Sequence, residues 1–423
     1  MADTQSSSPI AAMHQPGGSL APFRYPAFRA IWIANLASNI GSMIQSVGAA
    51  WLMTDLTPSH RLLALVQSSA TVPILLFGVF AGAIADNFDR RRVMLVAQIG
   101  MLIASAGLAA LTWAGLITPY LLILFTLTVG TGTALNSPAW QASVRQQVGL
   151  RDLPQAISLN TISFNLARSV GPALGGLLIS LWHVSFAFAL NALSFIAMIV
   201  VLLRWKPDWE PRERKPMLPA IALGIRFCAA SSPIRRILLR GFAMGVGLAG
   251  YQALVPAAVR GPLHGTEIQF GLMLGLFGIG SIVCALFITP LRRRFGTEWV
   301  IIGATLAFVV AQTILASASS LYEALPATFI AGGGWVATFT TINVAMQMRS
   351  PEEILGRCLS IYQAVSFGGL ALGSWVWGAL ADWRDLSFAL HGASVWLVVT
   401  LVLLRFLAPM PGRGEGRIEA EQG

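Results

Sequence analysis

Charge is scarce in this sequence. Only 11% of its 423 residues are Asp, Glu, Lys or Arg, against 55% hydrophobic ones, and the mean hydropathy is +0.69. Soluble domains carry roughly a quarter charged residues, so this composition excludes a soluble globular protein and puts the chain in a bilayer. Cysteine is almost absent too. Cys228, Cys284 and Cys358 stand far apart in or beside apolar stretches, which argues against a disulfide framework or a metal site. The five histidines, His14, His60, His183, His264 and His391, have no ligand spacing and no nucleophile elbow, leaving a membrane enzyme without a catalytic constellation. The two lysines, Lys206 and Lys215, follow no phosphate-binding glycine loop, which argues against ATP coupling in this chain. Gly245-Val-Gly-Leu-Ala-Gly250 matches a dinucleotide fingerprint only formally, because it lies inside an apolar run without strand and turn. No cofactor and no metal are expected.

What the chain has is apolar length. Runs long enough to cross the bilayer as helix occur twelve times, at 28–53, 61–84, 92–114, 119–142, 155–181, 184–204, 234–258, 267–290, 298–320, 322–348, 355–380 and 386–408. The turns near Trp182 and Ser320 are so short that two spans could merge there. The predicted fold is an all-α integral membrane protein of twelve transmembrane helices in two pseudo-symmetric six-helix halves. The predicted boundaries are a disordered tail over 1–27, the first half over 28–204, a linker over 205–233, the second half over 234–408 and a C-terminal tail over 409–423. The linker is dense in charge and proline, and its amphipathic middle, Leu218 to Ala230, is expected to lie along the membrane surface.

The net charge of +10 raises the question of a nucleic-acid partner, and the placement of the charges answers it. Of 28 basic residues, 24 fall in the N-terminal segment, the even-to-odd connections and the C-terminal tail. Arg61, Arg260 and Arg384 alone lie in the other connections. Such asymmetry is the positive-inside pattern, and it puts both termini in the cytoplasm. Short basic loops dispersed between spans are no nucleic-acid footprint.

The halves resemble each other weakly at an offset of 202. Arg90 to Arg92 align with Arg292 to Arg294, Ser158 with Ser360, Gly171 with Gly373 and Gly176 with Gly378. Asp152-Leu-Pro-Gln155 and Ser350-Pro-Glu-Glu353 read as matching helix starts, each with a cap residue, a proline in the first turn and an acceptor three residues on. Two repeated halves are what a transporter with a midplane site requires.

Between spans two and three stand Gly82, Asp86, Arg90 and Arg91. This pattern resembles the loop signature of the major facilitator superfamily, with Asn87 and Asp89 where a basic residue and a glycine are common. Gly171-Pro172 followed by Gly175-Gly176 in span five is similar to the motif of its exporting antiporters. The segment from Phe28 to Ser59 resembles its bacterial efflux branch, which contains siderophore exporters. The resemblance implies a carrier working by alternating access, with proton coupling, in the bacterial inner membrane. In that reading Gly82 allows spans two and eleven to approach, and Asp86, held by Arg90 and Arg91, forms a clasp that favours one access state. The alternative is that the loop is a topology anchor only.

Span one carries Asn35, Ser38, Asn39, Ser42, Gln45 and Ser46 at three- and four-residue spacing, hence on one helical face. Lipid does not reward such a face, so Asn35, Asn39, Ser42 and Gln45 are cavity candidates. Gln67 and Asn136 join them from the same half, and Tyr251, Gln252, Tyr362 and Gln363 from the other. Hydrogen bonding between helices is the other use of such residues. Arg168 is the one basic residue deep inside a span, with no acid at comparable depth. A charge there faces protein or water and marks a functional site by default. Three roles stay open: attracting an anionic or catechol-bearing substrate, standing where a transported cation binds in another state, or bonding carbonyls and Asn165 or Asn35. The expected function is export of small amphipathic molecules, drug-like or siderophore-like, by a monomer whose partners are substrate, protons and lipid. A proton-coupled importer and a transport-inactive receptor of the same fold are the alternatives.

Overall fold

The computed structural model describes residues 20–207, 217–351 and 354–411, and every regular element among them is helical. Backbone groups in hydrocarbon must be satisfied within their own segment, which helices achieve. The helices are α1 (Pro26–Leu56), α2 (His60–Asn87), α3 (Arg90–Trp113), α4 (Pro119–Gln147), α5 (Leu153–Leu181) and α6 (Val184–Arg204). They continue as α7 (Met217–Ala230), α8 (Ser232–Arg260), α9 (Glu267–Ser317), α10 (Leu321–Gln347), α11 (Leu355–Trp383) and α12 (Leu386–Leu407). Several starts are set by a side chain accepting from the first turn: Ser59 from the Leu62 N–H, Asp89 from Arg91, Thr118 from Leu121 and Asp385 from Phe388.

Ten of the described helices are long and apolar enough to cross a membrane. One of them, α9, has 51 residues and would measure about 77 Å if straight, against a hydrocarbon core of about 30 Å. It breaks at Gly296, whose φ of 83° suits glycine, and each arm is long enough for one crossing. The expected merger near Trp182 or Ser320 therefore occurs elsewhere, between the spans at 267–290 and 298–320. Helix α1 is not among the ten because its polar stripe dilutes its apolarity. With α1 and both arms of α9 counted, the twelve expected spans are all helical.

Some expectations are corrected. Residues 20–27 are not a disordered tail: Ala21–Arg24 is a 3-10 turn, and Phe23 meets Trp32 edge-on at 5.1 Å. Residues 1–19, most of the linker's charged part (208–216) and 412–423 lie outside the described residues. The first matched helix start does not work as a side-chain cap, and residues 352–353 of the second lie outside the described residues. Asp152 makes no cap bond and accepts from the Tyr25 hydroxyl at 3.1 Å. Ser350 donates back to Met346 O, and α11 starts later, after Ile354. The arginine triplets also differ: Arg90 to Arg92 open α3 after a turn, whereas Arg292 to Arg294 close the first arm of α9 before one.

The offset of 202 does hold where the halves meet, which is chiefly along α2 with α11 and along α5 with α9. A Cβ on Gly176 of α5 would lie 2.4 Å from Glu267 O of α9, and one on Gly378 of α11 would lie 2.6 Å from the Ala64 Cβ of α2. The equivalent pair Gly171 and Gly373 packs inside each half, against Met43 of α1 and Val246 of α8. Both glycine pairs thus occupy the same place in their repeats, and small residues let these backbones touch.

Candidate functional site

The ends of the molecule are joined differently, and this frames the space between the halves. At the end opposite the chain termini, Asp382 of α11 caps α2. Its carboxylate accepts from the Ser59 hydroxyl at 2.7 Å and from the His60 and Arg61 N–H groups at 2.5 and 3.1 Å. Arg260 of α8 forms an ion pair with Asp55 of α1, donates to the Thr54 hydroxyl at 3.2 Å and lies over the Trp51 ring at 5.1 Å. Trp51 donates from Nε1 to Glu267 of α9 at 3.1 Å and stacks on Phe270. Further in, the Ser68 hydroxyl donates to Ala371 O at 3.1 Å. Toward the terminal end contact relaxes: a Cβ on Gly368 would lie 3.2 Å from the flexible end of Leu75, and one on Gly82 would lie 3.9 Å from Ser360 Oγ. Gly82 thus permits no backbone-to-backbone contact in this state.

Two arginines of the loop signature bond carbonyls of their own half. Arg90 donates to Ala142 O of α4 at 2.9 Å. Arg91 donates to Leu202 O and Leu203 O of α6 at 2.7 and 2.9 Å. Asp89 is the cap of α3 and pairs with Arg92 at 3.6 Å, a role the sequence reading did not give it. The side chain of Asp86 lies outside the described residues. In span five, Gly171 and Gly175 face Met43 and Ile44 of α1, while Pro172 and Gly176 meet Gly271 of α9.

The polar face of α1 splits in two. Gln45 is buried and accepts from Ser105 of α3 at 2.8 Å and from Asn191 of α6 at 2.9 Å, and Gly41 lies against Asn191 as well. That side is the hydrogen-bonding glue inside the half, so Gln45 leaves the list of cavity residues. Asn35, Asn39 and Ser42 are half-buried and Ser46 is exposed, one stripe along the helix. From the other half, Tyr251 is buried, donates to the Thr328 hydroxyl at 2.8 Å and is flanked by Phe277 and Phe308. Tyr362 is buried and donates to Phe339 O at 3.3 Å. Both serve packing here, whereas Gln252 and Gln67 are half-buried and Gln363 is exposed. Asn136 Oδ1 is a buried acceptor that no donor reaches.

Arg168 sits near the middle of α5, half-buried, and its guanidinium points into the other half. Its Cζ lies 5.4 Å from the ring centre of Phe277 on α9 and 5.6 Å from that of Trp335 on α10. Those rings meet at 6.2 Å and 64°, and Phe339 follows Trp335 at 4.6 Å. Glycines bring the parts together. A Cβ on Gly278 would lie 2.9 Å from Arg168 O, and one on Gly332 would lie 1.9 Å from Phe277 O, so α9 touches both neighbours through its backbone. Among the described residues the guanidinium has no hydrogen bond and no ion pair, and neither Asn165 nor Asn35 bonds it. Phe277, Trp335 and Phe339 were not among the residues expected from the sequence; the glycine run ahead of Trp335, in Ala331-Gly-Gly-Gly-Trp335, was the available signal.

Known proteins agree with this architecture. The transmembrane secretion effector family matches residues 17–418. The enterobactin exporter EntS of Salmonella typhimurium (strain LT2) is 25% identical over 394 residues, covering 90% of this chain and 92% of that one. The staphyloferrin A transporter of Staphylococcus aureus (strain NCTC 8325) is 26% identical over 260 residues, 61% of this chain, and the match spans 65% of that relative's length. Among solved structures, the nucleoside transporter NupG matches with a TM-score of 0.71 at 13% identity, covering 90% of this chain and 98% of its own. An inward-facing, unoccupied bacterial homologue of the lysosomal transporter Spinster matches with a TM-score of 0.68 at 15% identity, covering 92% and 96%. Ten helices long and apolar enough to cross a membrane, the loop signature and a family match over nearly the whole length identify a multi-pass membrane transporter: the chain belongs to the transmembrane secretion effector family of the major facilitator superfamily.

Proposed function

We propose that the protein is a secondary active exporter of small amphipathic molecules, drug-like or siderophore-like, in the bacterial inner membrane. The halves over 28–204 and 234–408 rock about the α2–α11 and α5–α9 contacts, and the linker over 205–233 joins them at the cytoplasmic face. The observation that carries the reading is the unequal joining of the ends. Breakable polar contacts hold the halves together at one end, while at the other the named polar contacts run inside each half. The distribution of basic residues supports cytoplasmic termini, and with that orientation this state reads as inward-facing. The exporter named among the relatives supports the outward direction.

Proton influx is the proposed drive. Asp55, Glu267 and Asp382 hold the closed end, and neutralising a carboxylate there weakens its bonds across the halves. Asn35, Asn39, Ser42, Gln252 and Gln363 are the proposed polar lining, with Arg168 facing them from α5. The protein works as a monomer in this reading. Purified protein in sealed vesicles with an imposed pH gradient tests it: amphipathic solutes should move against their concentration gradient as protons move down theirs. Solute movement that ignores the gradient removes proton coupling, and no vectorial movement of any solute tested removes the carrier.

A further inference from the structure

We propose that Arg168, Phe277 and Trp335 form a binding site for a planar aromatic anion, with the anionic group on the guanidinium and the ring of the ligand against Trp335 and Phe339. This deepens the exporter reading and rests on it for the biological direction of transport.

Three observations carry the proposal. First, among the described residues no acid pairs with Arg168. Helix α5 contains no acidic residue, α10 contains only Glu323 in its first turn, and the nearest acid on the first arm of α9, Glu267, lies ten residues before Phe277, roughly 15 Å away along the helix. A cation is costly at this depth unless something satisfies it. The two aromatic faces attract the guanidinium, but they accept none of its five N–H donors. Those donors remain available in a fork that matches an oxyanion.

Second, the aromatic residues are placed for contact with a ring. Phe277 is buried behind, whereas Trp335 and Phe339 are both partly exposed and lie one helical turn apart on α10 with ring centres 4.6 Å apart. A planar ligand gains offset or edge contact on such a surface. A cationic ligand is disfavoured, since it would lie beside an unneutralised positive charge.

Third, the site spans both halves. Arg168 belongs to the first and all the rings to the second, joined where Gly278 touches the α5 backbone. A ligand held by both parts is sensitive to how the halves are arranged, which is what a transported solute requires.

The probes are 2-naphthoate, its neutral isostere 2-naphthamide and the cation 2-naphthylmethylammonium, titrated by calorimetry against the purified full-length protein in detergent. The wild type should bind the carboxylate at least tenfold tighter than the amide and the cation weakest. Arg168→Gln should level carboxylate and amide, Arg168→Lys should keep part of the preference, and Trp335→Leu should weaken both by a similar factor. Equal binding of carboxylate and amide by the wild type, or a carboxylate preference that survives Arg168→Gln, overturns the site. Should Arg168→Gln fail to fold, the carboxylate-to-amide ratio of the wild type beside that of Trp335→Leu decides. The preference in a protein that moves no solute in vesicles upholds the site and refutes the exporter; proton-driven flux without the preference does the opposite.

Discussion

The two ends of the bundle are held by different kinds of bond. Opposite the termini, side chains of one half reach the other: Asp382 caps α2, Arg260 pairs with Asp55, and Trp51 bonds Glu267. At the terminal end, Arg91 and Arg240 bond within their own halves. Arg91 holds the last carbonyls of α6, and in the second half Arg240, 1% exposed, holds Leu404 O and Ala408 O while pairing with Glu298 at 2.8 Å. Glu298 also accepts from the Met410 N–H, and Arg349 reaches Pro411 O. The lesson is mechanical: among the described contacts, these terminal-end bonds brace each half as a body, while the side-chain bonds at the opposite end join one half to the other and can be exchanged with water.

The largest effect should come from filling the joint. Gly176→Val puts side-chain carbon where the Glu267 carbonyl and the Gly271 backbone stand, and backbone cannot step aside. Transport should fall by more than tenfold while the protein still inserts, and a cysteine at Ser46 should become reactive from the side opposite the termini. Unchanged flux would mean that this α5–α9 contact plays no part in the transport cycle.

Next is Asp382→Ala, which strands the Ser59 hydroxyl and two N–H donors of α2. Losing bonds to a charged acceptor costs about 2 kcal/mol here, roughly a thirtyfold shift of population away from this state. The same cysteine reports it, and a shift under threefold would demote the cap to a minor contact.

Arg91→Met should act on the body and leave the joint alone. The melting temperature in detergent should fall by roughly 2–4 °C, with cysteine reactivity at both ends unchanged. A change of reactivity without loss of stability would instead make the loop a clasp between states. The smallest effect is expected for Gly82→Ala. Its added carbon meets only Ser360 Oγ at an ordinary distance, so stability should stay within about 0.5 kcal/mol.

Much of this was legible in the sequence. Apolar length gives the spans, and Gly176 and Gly378 at the same offset mark the joint, because a backbone contact admits no other residue type. The site was legible only in part. The polar face of α1 was visible, but its division was not, since which residues meet α6 depends on how α1 is rotated against Asn191, about 150 residues away in sequence. Arg168 announced itself by its depth. Its aromatic partners did not, because Phe and Trp are ordinary in apolar helices and only the packing of α9 on α10 through Gly332 selects Phe277 and Trp335. Likewise Asp382 is an unremarkable acid at a helix end until α2 is placed beside it.

The exchange between ends is the central claim, and distance measurement across both ends tests it most directly. Spin labels at Leu116 and Tyr322, exposed on opposite halves at the end away from the termini, and a second pair at Arg92 and Phe295 at the terminal end, report the two separations in lipid vesicles. Under a proton gradient with a transported solute, one population should show the first pair farther apart and the second closer together, in the same molecules' equilibrium and to the same extent. Distances at the two ends that change independently, or not at all under conditions of active flux, would contradict the account.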